Sequence, residues 1–232
     1  MTEPLWRRAL AEFIGTGMLV TVVVGSGIAA ERLSTDAGLR LLENSTATAL
    51  GLFAIIVLFA PVSGAHLNPA VTLTGAVLDR RPVTDTLAYI GAQISGGLGG
   101  AMLANAMFAV PPALSRTDRA EPATLLAEVV ATAGLVLLVT GLVRAGAAIP
   151  VIAAAVGAYI GAAYWFTSST SLANPAVTIG RIFSDTFAGI APASAGAFVF
   201  AQLVGAGVGL LLTVALFPRA ASAPQVGASS RR

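Results

Sequence analysis

Long apolar stretches separated by short polar segments run through almost the whole chain. Uncharged or nearly uncharged stretches lie at about residues 9–30, 45–62, 84–110, 123–143, 149–167 and 192–217. A helix needs about 20 mostly apolar residues to cross a hydrocarbon core of about 30 Å. The pattern therefore predicts six transmembrane helices in one membrane domain, residues 1–217. The tail that follows, residues 218–232, is rich in Ala, Ser and Gly and is predicted to be disordered.

Two further apolar segments are too short to cross a membrane. They are Pro69–Leu78, between the second and third stretches, and Pro175–Phe183, between the fifth and sixth. A helix of about ten residues is only about 15 Å long. We therefore expect two re-entrant half-helices, each of which reaches only the middle of the bilayer.

The two halves of the chain, about residues 6–110 and 122–217, repeat three landmarks in the same order. These are Ala-Glu in the first span, Asn-Pro-Ala in the short segment and Ala-Gln in the last span, at Glu12, Asn68 and Gln93 and again at Glu128, Asn174 and Gln202. Since each half has three spans, an odd number, the second copy is inverted in the membrane. The two half-helices are therefore predicted to enter from opposite faces.

The repeated boxes, Asn68-Pro69-Ala70 and Asn174-Pro175-Ala176, are typical of helix starts. Asparagine favours the N-cap, and proline favours the first helical position. If both starts meet in mid-bilayer, two positive dipole ends converge and repel cations and protons. Non-helical backbone at that depth occurs only where it is buried in protein or lines a wet cavity. Residues 63–68 and 168–174 are thus predicted to line a pore, with the two asparagine amides as donors.

Composition excludes several classes of protein. Apolar residues make up 56% and charged residues 10% of the chain, and the mean hydropathy is +0.85. All basic residues are arginines, and they do not cluster with aromatics as a nucleic-acid surface requires. With no cysteine and one histidine, we expect no disulfide, metal centre or cofactor, and no enzyme activity. Because more arginines fall in the loops on the side of the termini, both termini are predicted to be cytoplasmic.

Two Asn-Pro-Ala boxes at half-helix tips, with Glu12 and Glu128 in the first span of each half, resemble the aquaporin (major intrinsic protein) family over residues 6–217. The resemblance implies an all-α membrane protein with six transmembrane helices and two re-entrant half-helices in an inverted 3+3 repeat. It also implies a homotetramer embedded in membrane lipid, here the bacterial inner membrane, with one pore for small neutral solutes in each subunit. In the family the two glutamates brace the re-entrant loops from behind.

The chain departs from the family at the narrow outer filter. Family members usually carry an arginine directly after the second box, where this chain has Val177. Along the family's pattern the other filter positions fall on Thr48, Ala162 and Ser171, with Gly161 as the alternative to Ala162, and none of these is aromatic. Such a filter is expected to be wide and to favour solutes larger than water, such as arsenite and antimonite hydroxides, as in the microbial metalloid-permeable branch. Water, glycerol and urea are further candidates.

Several residues leave alternatives open. His66 either faces the pore near its inner mouth or hydrogen-bonds a neighbouring carbonyl group and so holds its loop in place. Arg181, one turn after Val177, either replaces the missing arginine or extends to water, which is the more usual behaviour. Three aromatic residues of the fifth span either form a binding cage or lie at the membrane interface, which is the more usual place for aromatics near the end of a span: Tyr159, Tyr164 and Trp165.

Two rival functions are also open. The first is a proton-coupled secondary transporter that uses Glu12 or Glu128, since an acidic residue inside a membrane is by default functional. Saturable uptake that needs a proton gradient would distinguish it from a channel. The second rival is a structural, junction-forming membrane protein with a closed pore, for which the short loops offer no obvious adhesive surface.

Overall fold

The computed structural model describes residues 3–218, and all regular structure in this part of the chain is helical. The helices are α1 (Leu5–Leu33), α2 (Ala37–Ser63), α3 (Pro69–Asp79), α4 (Val83–Met107), α5 (Pro122–Arg144), α6 (Ile149–Phe166), α7 (Pro175–Arg181) and α8 (Pro192–Leu216). Six of them are long and apolar enough to cross a membrane, and the other two, α3 and α7, are the half-helices. The predicted fold class is confirmed. The predicted disordered tail lies, apart from Pro218, outside the described residues.

The helices extend beyond the apolar stretches that predicted them. The clearest case is α2, which begins at Ala37 although the apolar stretch begins near residue 45. Its N-cap is Asp36, whose carboxylate accepts a hydrogen bond from the Leu39 N–H at 2.7 Å. The first turns carry Arg40 and Glu43, which end the uncharged stretch without ending the helix. Hydropathy thus locates the membrane core, whereas capping residues locate the end of the helix.

The inverted repeat is visible in the packing. In the first half α1 packs against α4, and in the second half α5 packs against α8 in the same way. A Cβ atom at Gly96 of α4 would lie 2.2 Å from the carbonyl oxygen of Phe13, and one at Gly205 of α8 would lie 2.5 Å from that of Val129. Any larger residue would push the helices apart. The two glycines occupy matching positions, so the close approach itself is repeated.

The half-helices lie inside this bundle. α7 is held against α4, because a Cβ atom at Gly180 would lie only 2.7 Å from the carbonyl oxygen of Gly97. Both half-helices begin with an asparagine N-cap followed by proline, as predicted. This arrangement brings the start of α3 and the start of α7 together in the interior of the molecule.

Candidate functional site: a pore between two half-helices

The two Asn-Pro-Ala boxes meet through a pair of reciprocal hydrogen bonds. Nδ2 of Asn68 donates to the carbonyl oxygen of Ala173 at 2.8 Å, and Nδ2 of Asn174 donates to that of Leu67 at 2.8 Å. Each bond thus joins one half of the repeat to the other. A primary amide has two N–H groups. One on each asparagine is engaged in this way, which leaves a second N–H on each.

The other end of each asparagine side chain caps its own half-helix. Oδ1 of Asn68 accepts from the Ala70 N–H at 2.9 Å, and Oδ1 of Asn174 accepts from the Ala176 N–H at 2.9 Å. These bonds fix the amide plane, so the free N–H groups have a defined direction. The asparagine side chains are almost fully buried, although both lie on the wall of the central cavity.

The loop before each asparagine has an unusual backbone. Ala65 and Leu67 in the first loop have φ of 47° and 52°, and Ser171 and Ala173 in the second have φ of 50° and 47°. These are the matching positions of the repeat, and none is glycine. A left-handed conformation at a non-glycine residue costs on the order of 1–3 kcal/mol and persists only where surrounding contacts impose it.

Two buried glutamates supply those contacts. Glu12 accepts hydrogen bonds from the N–H groups of His66 at 2.9 Å and Leu67 at 2.6 Å. Glu128 accepts from those of Leu172 at 2.9 Å and Ala173 at 2.8 Å. Successive N–H groups in alternating conformations form a concave anion site, and here a carboxylate fills it. With the N–H groups turned toward the glutamates, the carbonyl groups are free to face the cavity.

A glutamine completes each of these contacts. Nε2 of Gln93 donates to Glu12 at 2.8 Å, and Nε2 of Gln202 donates to Glu128 at 2.6 Å. Both glutamates are 0% exposed, and neither lies on the cavity wall. A proton-coupled transporter would need one of these carboxylates to exchange protons with the transport path. Because neither carboxylate reaches the cavity, the structure gives no support to the transporter hypothesis.

A cavity of about 340 Å³ passes between the half-helices. At one end it is lined by Arg144, Ile149 and Asp79, and in the middle by the two asparagines. The other end, called the outer mouth below, is lined by Thr48, Tyr164, Ser171, Val177 and Arg181. Much of the remaining wall is apolar, with polar groups concentrated at the loops. A small uncharged molecule with a few hydroxyl or amide groups suits such a lining.

The structure corrects the filter position on α6. Ala162 is exposed on the outside of the molecule and is absent from the cavity wall, and Gly161 faces Ala49 of α2. The aromatic residue Tyr164 lies on the wall instead, 4% exposed, with its hydroxyl 3.1 Å from Oγ1 of Thr48. Residues two apart on a helix point about 200° apart, so an error of two positions moves a side chain to the opposite face.

That correction reverses two expectations. The outer mouth has an aromatic residue although the predicted filter had none, and Tyr164 is buried beside the cavity instead of being exposed on the outside of the bundle. Trp165, in contrast, is 52% exposed. The missed signal is a row of apolar residues four apart in α6, at Ile152, Val156, Ile160 and Tyr164, all of which line the cavity.

Arg181 is a second residue whose position differs from the expectation. The expected extension to water is wrong, because the side chain is only 3% exposed and lines the outer mouth together with Val177. Its Nε donates a hydrogen bond to the carbonyl oxygen of Ala188. A turn of helix separates the two residues, so both face the same side of α7.

His66 combines the two roles considered for it. It lines the cavity, and its Nδ1 lies 3.1 Å from Oγ1 of Thr72 while its Nε2 lies 3.3 Å from the Arg81 guanidinium. The partners of the ring are therefore a hydroxyl and a guanidinium rather than the carbonyl that was expected.

Comparison with known proteins agrees with this geometry. The family model described as "Major intrinsic protein" matches residues 1–164. The aquaglyceroporin AqpS of Rhizobium meliloti is 46% identical over 210 residues, which are 90% of this chain and 89% of that protein. The propanediol uptake facilitator PduF of Citrobacter freundii is 35% identical over 108 residues, which are 47% of this chain and 39% of that protein.

A solved structure supports the fold. The X-ray structure of the aquaglyceroporin from Plasmodium falciparum superposes with a TM-score of 0.74 at 19% identity, covering 92% of this chain and 97% of that one. Because the family model matches residues 1–164 and a relative is 46% identical over 90% of this chain, the chain belongs to the major intrinsic protein (aquaporin) family, a family of membrane channels for small neutral solutes.

Proposed function

We propose that the channel is a passive, non-saturable facilitator for uncharged solutes larger than water, with arsenite and antimonite hydroxides as the foremost cargo. The observation that carries this proposal is the outer mouth, where the small side chain of Val177 follows the second Asn-Pro-Ala box. A valine removes the long cationic side chain that would otherwise narrow the path at this level. Water, glycerol and urea are further solutes for the same route.

The proposed roles follow from the contacts. Asn68 and Asn174 orient solutes with their remaining N–H groups, and the adjoining Pro69, Ala70, Pro175 and Ala176 shape the helix starts. Glu12, Glu128 and His66 brace the two loops. The size filter consists of Thr48, Ser171 and Val177, with Tyr164 in the place first assigned to Ala162.

The chemistry of the cargo fits the wall. Arsenite at neutral pH is an uncharged trihydroxide, so it crosses a region of positive helix ends without electrostatic cost. Its hydroxyl groups can donate to loop carbonyls and accept from the asparagine amides. The apolar remainder of the cavity binds it weakly, which is what rapid exit requires.

The setting is part of the proposal. We place the channel in a bacterial inner membrane with both termini in the cytoplasm, as a homotetramer with one pore in each subunit. Many large apolar side chains of α1, α2 and α8 are exposed on the surface of the single subunit. Lipid and neighbouring subunits would cover those faces.

Stopped-flow light scattering on proteoliposomes tests the function. Water, glycerol, urea and arsenite are compared on one preparation, with empty vesicles as the control. We expect arsenite flux well above the control, rising linearly with concentration and unaffected by collapse of a proton gradient. Arsenite flux equal to that of empty vesicles would remove the metalloid assignment, and saturating, gradient-dependent flux would replace the channel with a coupled transporter.

A further inference from the structure

The outer mouth contains a buried arginine. Arg181 is 3% exposed, and its side chain lies on the cavity wall one turn beyond Val177. Burying a guanidinium away from water costs free energy unless an opposite charge or hydrogen bonds compensate for the lost hydration. Charged groups inside membrane proteins are therefore functional candidates, above all where they face the transport path.

No carboxylate forms an ion pair with Arg181 in the part of the chain that the structure describes. The ion pairs found between residues 3 and 218 are Arg7–Glu3, Arg8–Asp85 and Arg116–Asp185. Arg181 instead donates from Nε to the carbonyl oxygen of Ala188, in the loop between α7 and α8. A carbonyl is neutral, so it orients the guanidinium and leaves a positive charge at the wall.

A second arginine lies behind the first. Arg119, in the loop between α4 and α5, donates from Nε to the carbonyl oxygen of Gly189 at 2.8 Å and from Nη2 to that of Phe187 at 3.0 Å. Arg119 and Arg181 thus hold three successive carbonyl groups. Burial, and then the positive charge of Arg181, lower the pKa of Arg119 to about 10, so it remains protonated at neutral pH.

We propose that Arg181 is the charge-selective residue of the outer mouth, supported by Arg119, and that it excludes cations independently of the asparagine pair. Val177 leaves room for large solutes at one level of α7, while the guanidinium one turn further on sets the electrostatic condition for entry. Width and charge selection are thereby separated along the same helix face. The proposal deepens the channel function and does not depend on which neutral solute is carried.

Methylammonium and formamide probe this separation, since they are similar in size and differ in charge. Fluxes are measured in proteoliposomes for the parent chain and for Arg181→Gln and Arg181→Lys. The matched control is Arg116→Gln, an arginine of the outer loop whose side chain is 90% exposed. The control and Arg181→Lys should exclude methylammonium as the parent does. Arg181→Gln should raise the ratio of methylammonium flux to formamide flux on the order of 10- to 100-fold, as expected for losing one unscreened charge.

A second pair of variants leaves Arg181 in place. Residue 177 lies four positions before Arg181, so Val177→Glu forms an ion pair with it, while Val177→Gln has the same size and no charge. We expect Val177→Glu to admit methylammonium and Val177→Gln to exclude it. The proposal is overturned if Arg181→Gln conducts formamide yet excludes methylammonium, or if the two residue-177 variants behave alike. A channel that conducts formamide but not arsenite would refute the cargo assignment alone.

Discussion

At the scale of single residues, Glu12 and Glu128 decide the direction of the pore-lining backbone. Each carboxylate is fully buried and accepts two successive N–H groups from the loop behind its Asn-Pro-Ala box. Hydrogen bonds to a charged group contribute about 1.5–3 kcal/mol each, which is enough to offset the left-handed residues of the same loop. The glutamates were found from the sequence by their symmetric placement, whereas the left-handed backbone gave no signal, because Leu67 and Ala173 are ordinary apolar residues.

Replacing Glu12 by glutamine should destabilise the protein. The amide keeps one good acceptor and turns a donor toward N–H groups that are already donors, so we expect a loss of about 3–5 kcal/mol, as for other broken buried charge contacts. Thermal unfolding in detergent measures the effect. Glu3→Gln, which removes only a surface ion pair with Arg7, is the control and should leave the melting temperature unchanged. Equal melting temperatures for the two variants would contradict the bracing role.

Val177→Arg should convert a wide channel into a narrow one. The new guanidinium would lie beside Thr48 and one turn from Arg181, so it would fill the outer mouth and add hydrogen-bond donors there. We expect water flux to persist while glycerol and arsenite flux fall by on the order of tenfold or more, the scale of a barrier of about 1.4 kcal/mol. Val177→Thr, similar in shape, is the control. If Val177→Arg has the parent's solute profile, the filter assignment is wrong.

At the scale of helices, the sequence predicted which helices form, but it predicted only in part which face of each helix lines the pore. All six spans and both half-helices follow from apolar length and from Asn-Pro boxes. The orientation of α6 did not follow, because its 18 residues are apolar nearly all round and carry little contrast between a lipid face and a pore face. The cavity-lining residues Val156 and Ile160 are four residues apart, and the same spacing places Tyr164 next on that face. Counting residues back from Asn174 instead passes through an irregular loop, so it assigned the filter position wrongly to Ala162.

The close helix pair α1–α4 gives a prediction with an internal control. Gly96→Ala places a methyl group 2.2 Å from a carbonyl oxygen of α1, while Gly99→Ala, three residues on at an exposed position, meets nothing within 4 Å. We expect Gly96→Ala to cost about 1–3 kcal/mol, as overpacking does. Gly99→Ala should be neutral or stabilising by up to about 1 kcal/mol. Thermal unfolding of both variants in the same detergent distinguishes them, and equal destabilisation would refute the packing explanation.

At the scale of the whole molecule, the inverted repeat was the most informative property of the sequence. It predicted that the two boxes meet, because three spans per half reverse the second copy. It did not predict the burial of Arg181, which depends on the loop between α7 and α8 and on Arg119 from a distant segment. Such contacts join residues far apart in sequence and leave no local pattern.

The absence of cysteine makes membrane orientation directly measurable. Thr35→Cys lies between α1 and α2, and Ala145→Cys lies between α5 and α6, at exposed positions of loops on opposite sides. If both termini are cytoplasmic, a membrane-impermeant maleimide applied to spheroplasts should label the Thr35→Cys variant and not the Ala145→Cys variant. Ala145→Cys should react only after permeabilisation. The reverse result would invert the proposed orientation.

The crossed asparagine bonds also bear on how the protein is made. When the first three spans have left the ribosome, Asn68 has no partner for the N–H that it later donates, because Ala173 has not yet been synthesised. The nascent half is therefore incomplete at its centre until the other half arrives. Two separately expressed fragments, divided in the loop between α4 and α5, should accordingly be degraded when produced singly and accumulate when produced together.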